Sequence, residues 1–185
     1  MTLGTDKNGN TEPKLAKRKL YIRTHGCQMN EYDSSKMAKV LEQQYERVDS
    51  ARDADLVLVN TCSVRDKPEQ KLYSFVGEMH EIKATNPKLM IGVGGCVAQQ
   101  EGQNILNRSK DVDFVFGTHN LSLIPALIQQ REATGVRQAA VNYREDWEDL
   151  PFGLPEDGRV SAFIAISRGC NKNCSYCIVP TTRGS

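Results

Sequence analysis

The chain has 185 residues, 39% hydrophobic and 25% charged, with 24 Lys and Arg against 23 Asp and Glu for a net charge of +1. That length holds one ordinary domain, or one domain and the start of another, with enough apolar residues for a packed core. The even charge balance excludes broad electrostatic capture of nucleic acid by the chain as a whole, though not a local basic patch. The first nineteen residues are polar and lack the apolar region of a signal peptide. No run approaches the ~18 apolar residues of a membrane span. A cytoplasmic protein without membrane contact is expected, and in a reducing compartment its six cysteines read as metal ligands or reactive thiols before disulfides.

Residues 1–18 read as a disordered lead-in, with Lys14, Lys17, Arg18 and Lys19 forming a solvated basic cluster. From 19 to 134, strand and helix alternate. The segment "KLYIRTHGC" begins as a strand and ends at Cys27. Met37, Val40 and Leu41 follow at helical spacing, with Asp33 or Ser34 as the expected cap. "YERV" is a short strand, and "DADLVLVNTC" is a continuous apolar strand of the kind buried on both faces of a parallel sheet. Asp66 and Glu69 resemble a capping box, with Pro68 in the first turn. Leu72, Phe75, Val76, Met79 and Ile82 then trace one helix face that Asn86-Pro87 stops. "KLMIGVGGC" and "DFVFG" are further strands, separated by a short helix in "NILNRSK". Leu121, Ile124, Leu127 and Ile128 mark a last helix that closes near Gly135.

This alternation predicts an α/β fold with a flavodoxin-like doubly wound parallel sheet over 19–134. Residues 135–158, with Pro151, Gly153, Pro155, Gly158 and charges around Trp147, read as a linker. A new buried strand, "VSAFIAI", is expected at 160–166, opening a second unit over 159–185.

Cys27, Cys62 and Cys96 each stand just past the carboxyl end of a predicted strand. In a sheet of order 2-1-3-4-5 those strands are neighbours, ~5 Å apart, so three thiols are expected in one crevice where open α/β sheets bind ligands. Gly26, Gly94 and Gly95 would let backbone approach a bulky object there. Three unrelated buried cysteines is the plainer alternative. Zinc would require a fourth ligand, for which His25, two residues from Cys27, is the tempting candidate. His80 reads as a surface residue and His119 as a turn residue.

A second set, Cys170, Cys174 and Cys177, lies in "CNKNCSYC" with the pattern C-x3-C-x2-C. Thiolates also hold four-iron clusters, normally through four cysteines. Three leave one iron with an open position, as catalytic metal sites do.

These residues resemble a known family. "CNKNCSYC", with Tyr176 before its last cysteine, resembles the signature of radical S-adenosylmethionine (SAM) enzymes, and "THGCQMNEYDS", "NTCSVRDKPEQK" and "GGCVAQQEG" resemble the three cysteine blocks of the methylthiotransferase family. The likeness runs over roughly 19–185 and leans to the tRNA-modifying branch. It implies that Cys170, Cys174 and Cys177 hold a 4Fe-4S cluster whose open iron chelates SAM, which is cleaved by one electron to methionine and a 5′-deoxyadenosyl radical. It also implies that Cys27, Cys62 and Cys96 hold a second 4Fe-4S cluster carrying the sulfur to be delivered. The implied substrate is C2 of N6-isopentenyladenosine beside the tRNA anticodon, and the implied product its 2-methylthio derivative. The implied partners are tRNA and an electron donor such as flavodoxin or ferredoxin, with the protein a monomer.

Radical chemistry at an unactivated C–H needs no side-chain base, so no His or carboxylate is assigned that role. Tyr176 is expected near the cluster or the SAM adenine, or simply packed in the core. Gln28, Asn30 and Asn60 are placed to hydrogen-bond cluster sulfurs, or else to cap and turn the chain. Arg168 and Arg183 would meet phosphate or carboxylate, with surface exposure as the default. The family's barrel needs on the order of 100–200 residues beyond its first strand. The chain is therefore expected to be an inactive fragment, with most RNA-binding surface elsewhere. A methylthiotransferase for another substrate and a zinc-stabilised binding module are the competing readings.

Overall fold

The computed structural model describes residues 16–63, 67–143 and 163–184. Residues 1–15 of the expected lead-in, Asp66 of the expected capping box, 144–158 of the expected linker and 160–162 of the expected last strand lie outside the described residues.

Six strands form one parallel sheet: β1 (Arg18–Thr24), β2 (Tyr45–Arg47), β3 (Leu56–Thr61), β4 (Met90–Gly95), β5 (Phe114–Phe116) and β6 (Gln138–Ala140). Their order is β2-β1-β3-β4-β5-β6, the predicted flavodoxin-like order with one strand added at the edge. The helices are α1 (Gln28–Leu41), α2 (Pro68–Thr85), α3 (Cys96–Glu101), α4 (Gln103–Arg108), α5 (Ile124–Thr134) and α6 (Val179–Arg183).

All six residues of β3 are buried because helices cover both faces of the sheet. Alternation along the strand splits them between two cores. Val57 and Val59 pack with Leu72, Val76 and Met79 of α2 and with Ile105 of α4. Leu56 and Leu58 pack with Met37 and Leu41 of α1 and with Ile124 and Ile128 of α5. On this second face β4 presents Gly92, where an added Cβ would lie 2.5 Å from the Phe114 ring, so the glycine makes room for the phenylalanine.

Four expectations are corrected. The first helix begins at Gln28 with Cys27 as its N-cap, not at Asp33 or Ser34. Both of those side chains are buried inside α1, where tertiary partners engage them. The expected linker begins later than Gly135, because Gln138–Ala140 pair with Phe114–Phe116 as β6. The lead-in ends earlier than expected, because Arg18 opens β1, pairs with Glu132 at 2.6 Å and lies over the Tyr45 ring. Residues 163–166 form no strand. Phe163, Ile164 and Ile166 are 51%, 70% and 98% exposed, since no strand among the described residues pairs with them.

Helix α5 ends as its sequence requires. Gly135 is left-handed at φ 69°, and its N–H donates to the Arg131 carbonyl at 3.0 Å. Gly135→Ala is expected to destabilise the chain by about 1 kcal/mol, the strain of a Cβ in that conformation. Urea unfolding should show a lowered midpoint at unchanged slope.

Candidate metal centre at the carboxyl edge of the sheet

The pairing of β1 with β3 and of β3 with β4 brings three chain ends together. Thr24 stands beside Asn60, and Thr61 beside Gly95. Cys27 follows β1 as the N-cap of α1, Cys62 follows β3 directly, and Cys96 opens α3 directly after β4. Adjacent strands therefore place the three cysteines along one edge of the sheet. Cys62 and Cys96 are buried at 3% and 4% exposure, and Cys27 is half-buried.

Two glycines press these turns onto one another. At Gly26, φ 130°, an added Cβ would fall on the Cys62 side chain, 3.0 Å from its Sγ. At Gly95, φ 93°, it would strike the Thr61 carbonyl and stand 2.5 Å from Asn60 Oδ1. The object that Gly94 admits is the Phe116 ring. These glycines therefore admit protein neighbours, and at Gly26 the neighbour is one of the three cysteines.

Beneath the thiols lies a closed polar network. Asn30 and Asn60 are fully buried. Asn30 Nδ2 donates to Asn60 Oδ1 at 3.1 Å, to the Thr61 carbonyl at 2.8 Å and to the His25 carbonyl at 3.2 Å. Asn60 Nδ2 donates to the Asn30 carbonyl at 2.8 Å and to Ser34 Oγ at 2.9 Å. Asn30 Oδ1 accepts from Cys27 Sγ at 3.5 Å. These asparagines are thus neither simple caps nor turn residues: they fasten the Cys27 turn to the Cys62 turn. Gln28 is exposed.

The second cysteine set lies on irregular chain. The Cys177 N–H donates to the Cys174 carbonyl at 3.1 Å, and the Cys170 N–H to the Gly184 carbonyl at 3.0 Å. Cys174 is exposed, while Cys170 and Cys177 are half-buried. Tyr176 is 91% exposed, so it does not pack in the core.

Helix α6 carries this segment back onto the sheet edge. Thr118 Oγ1 donates to the Thr182 carbonyl at 2.5 Å, and Arg168 Nη2 donates to the Thr118 carbonyl. Arg183, expected at the surface, is only 5% exposed. Its Nη2 donates to Asn30 Oδ1 at 3.2 Å and ion-pairs with Asp33 Oδ2 at 2.8 Å. Burial works to lower the Arg183 pKa, but Asp33 and Cys96 beside it raise it. Burial pushes the Asp33 carboxyl up, against the opposing pull of Arg183. The sequence missed Asp33 and Ser34 as site residues, and it named Arg183 for a carboxylate or phosphate without seeing that the carboxylate is the chain's own Asp33. One signal was present: Asn30, Asp33 and Ser34 occupy the same helical stripe as Met37 and Leu41, where polar residues are out of place.

The histidines divide. His25 sits at the end of β1 with its Nε2 buried and without a hydrogen-bond partner among the described residues. Burial, Arg23 and Lys71 lower its pKa. His80 is at the surface, 3.1 Å from Asp111, as expected. His119 packs on Tyr143, and burial with Arg168 and Arg183 lowers its pKa.

Among the described residues no three His, Cys, Asp or Glu side chains are grouped to hold a single metal ion. Three thiols at adjacent strand ends, with no carboxylate donor among them, are a soft donor set whose spread over three strands would suit a group larger than one ion. No helix among the described residues is long and apolar enough to cross a membrane.

The model of the uncharacterized protein family UPF0004 matches residues 19–117. The chain is 50% identical over 169 residues to the tRNA-2-methylthio-N(6)-dimethylallyladenosine synthase of Bordetella petrii, spanning 90% of this chain and 35% of that protein. It is 51% identical over 168 residues to the protein of that name from Bordetella parapertussis, again 90% of the chain and 35% of the relative. The Herminiimonas arsenicoxydans protein of that name is 48% identical over 171 residues, 90% of the chain and 38% of the relative. The chain thus spans little more than a third of these relatives.

Proposed function

We propose, from the premise that this chain belongs to family UPF0004, that it is part of a tRNA 2-methylthiolating enzyme. The full-length protein would install a methylthio group at C2 of N6-isopentenyladenosine beside the tRNA anticodon, using SAM and two 4Fe-4S clusters. Cys27, Cys62 and Cys96 would hold one cluster, and Cys170, Cys174 and Cys177 the other. When bound, these groups supply the one-electron cleavage of SAM and the sulfur. The protein would work in the cytoplasm, as a monomer, with electrons from a flavodoxin or ferredoxin.

The observation that supports this reading is the placement of Cys27, Cys62 and Cys96 just past the ends of the adjacent parallel strands β1, β3 and β4. The chain's own part is to position and to shield. Burial of Cys62 and Cys96 keeps water from two of the three ligands. The Asn30–Asn60 network fixes the turns that present Cys27 and Cys62. Arg183 brings a fixed positive charge to Cys96.

Nucleoside analysis of tRNA tests the proposal. In a strain lacking the full-length protein, the 2-methylthio nucleoside should disappear and N6-isopentenyladenosine should accumulate, with both reversed by a wild-type copy. Unchanged 2-methylthio levels would rule it out and favour another substrate.

A further inference from the structure

Arg183 is unusual among the residues of this edge. Its guanidinium cannot deprotonate, yet it is 5% exposed and carries a fixed fork of donors that all require acceptors. Nη2 is engaged by Asn30 Oδ1 and Asp33 Oδ2. Nη1 is buried with no hydrogen-bond partner among the described residues. The Cys96 side chain lies against the same guanidinium and accepts a hydrogen bond from it, so the fork already points at a sulfur of the three-cysteine set. A charged donor kept from water and without a partner among the described residues calls for a further acceptor beside the one sulfur, Cys96, that the guanidinium already meets. That acceptor must be anionic or strongly polar, and it must sit beside Cys96.

We infer that Arg183 is a positioning residue whose Nη1 donates to sulfur of the anionic group held by Cys27, Cys62 and Cys96. The inference rests on the cluster proposed above and adds a residue from the far end of the chain to its surroundings. The segment bearing Cys170, Cys174 and Cys177 ends in α6, so the same arginine docks that segment on the edge where the other three thiols stand. Asp33 holds the guanidinium in place from α1 and balances its charge. Donors to cluster sulfur and nearby positive charge both favour the reduced, more negative state of a cluster, and so raise its potential.

The test uses the full-length protein, reconstituted anaerobically, with Cys170, Cys174 and Cys177 all replaced by alanine so that one cluster remains. Iron content and the midpoint potential, followed by electron paramagnetic resonance, are compared for this parent and for added Arg183→Gln, Arg183→Lys and Asp33→Asn. Arg183→Gln should keep about four irons per chain and become reducible only at lower potential. Arg183→Lys should fall between, because it keeps the charge but loses the fork. Asp33→Asn should lower the potential less than Arg183→Gln does, because it loosens the anchor of the guanidinium while the positive charge stays on the chain and a negative one is removed. An unchanged potential in Arg183→Gln would overturn the inference, as would an equal drop in Asp33→Asn, which is the mark of general loosening. If the Gln variant fails to hold iron, a Lys variant with the parent potential would overturn it. A parent without iron would instead overturn the cluster proposal itself.

Discussion

Replacing Cys27, Cys62 and Cys96 together by alanine in the full-length protein should lower its iron from about eight to about four per chain and abolish 2-methylthio formation. Each cysteine stands at the end of a different strand, so no single turn can keep a site without the others. The sheet should survive. Its cores are built from β3, β4 and the flanking helices, with Leu56, Leu58, Val59, Ile91 and Val93 fully buried whatever occupies the cysteine positions. Far-ultraviolet circular dichroism should therefore match wild type while iron and sulfide fall by half. A triple variant that keeps all its iron would show that the convergent thiols are not ligands.

Arg183→Ala should have the largest effect on stability. Breaking a buried ion pair by removing one partner is destabilising by about 3–5 kcal/mol, because the other charge is left uncompensated. Here the remaining group is Asp33, 3% exposed within α1. The chain has a cheaper escape than global unfolding. Among the described residues, the contacts that hold α6 include the Thr118–Thr182 and Arg168–Thr118 hydrogen bonds, the Arg183 contacts with Asp33 and Asn30, and the packing on α3. Release of 168–184 lets water reach Asp33. Amide exchange at 179–184 should rise roughly 100-fold or more, while β3 and β4 stay protected. Equal exchange in variant and wild type would show that the pair does not hold the segment.

The sheet was legible because its signals are local. Leu56–Val59 is an apolar run too continuous for a half-exposed strand, and Leu72, Phe75, Val76 and Met79 keep the helical period. The placement of the three cysteines was legible because topology does the work: once three cysteines end three neighbouring parallel strands, the order 2-1-3-4-5 sets them on one edge. What was missed depends on partners far along the chain. Arg183 looks like any surface arginine until Asp33, in α1, is placed beside it. Gln138–Ala140 carries too little apolar character to announce a strand, and its pairing with β5 decides its state. The opposite error, at Phe163–Ile166, has the same origin. An apolar run proposes a strand, but only a neighbour makes one.

The separation of Cys27, Cys62 and Cys96 onto three successive strand–helix units also sets an order of events. While the chain is being made, the first cysteine emerges with β1 and waits through two crossovers before β4 delivers the third. No one unit carries more than one of these three cysteines, so binding of the proposed cluster would not seed folding as metal does in a zinc finger. Insertion of the proposed cluster would therefore act on a finished sheet, and nascent chains stalled before residue 96 should leave their early thiols open to oxidation.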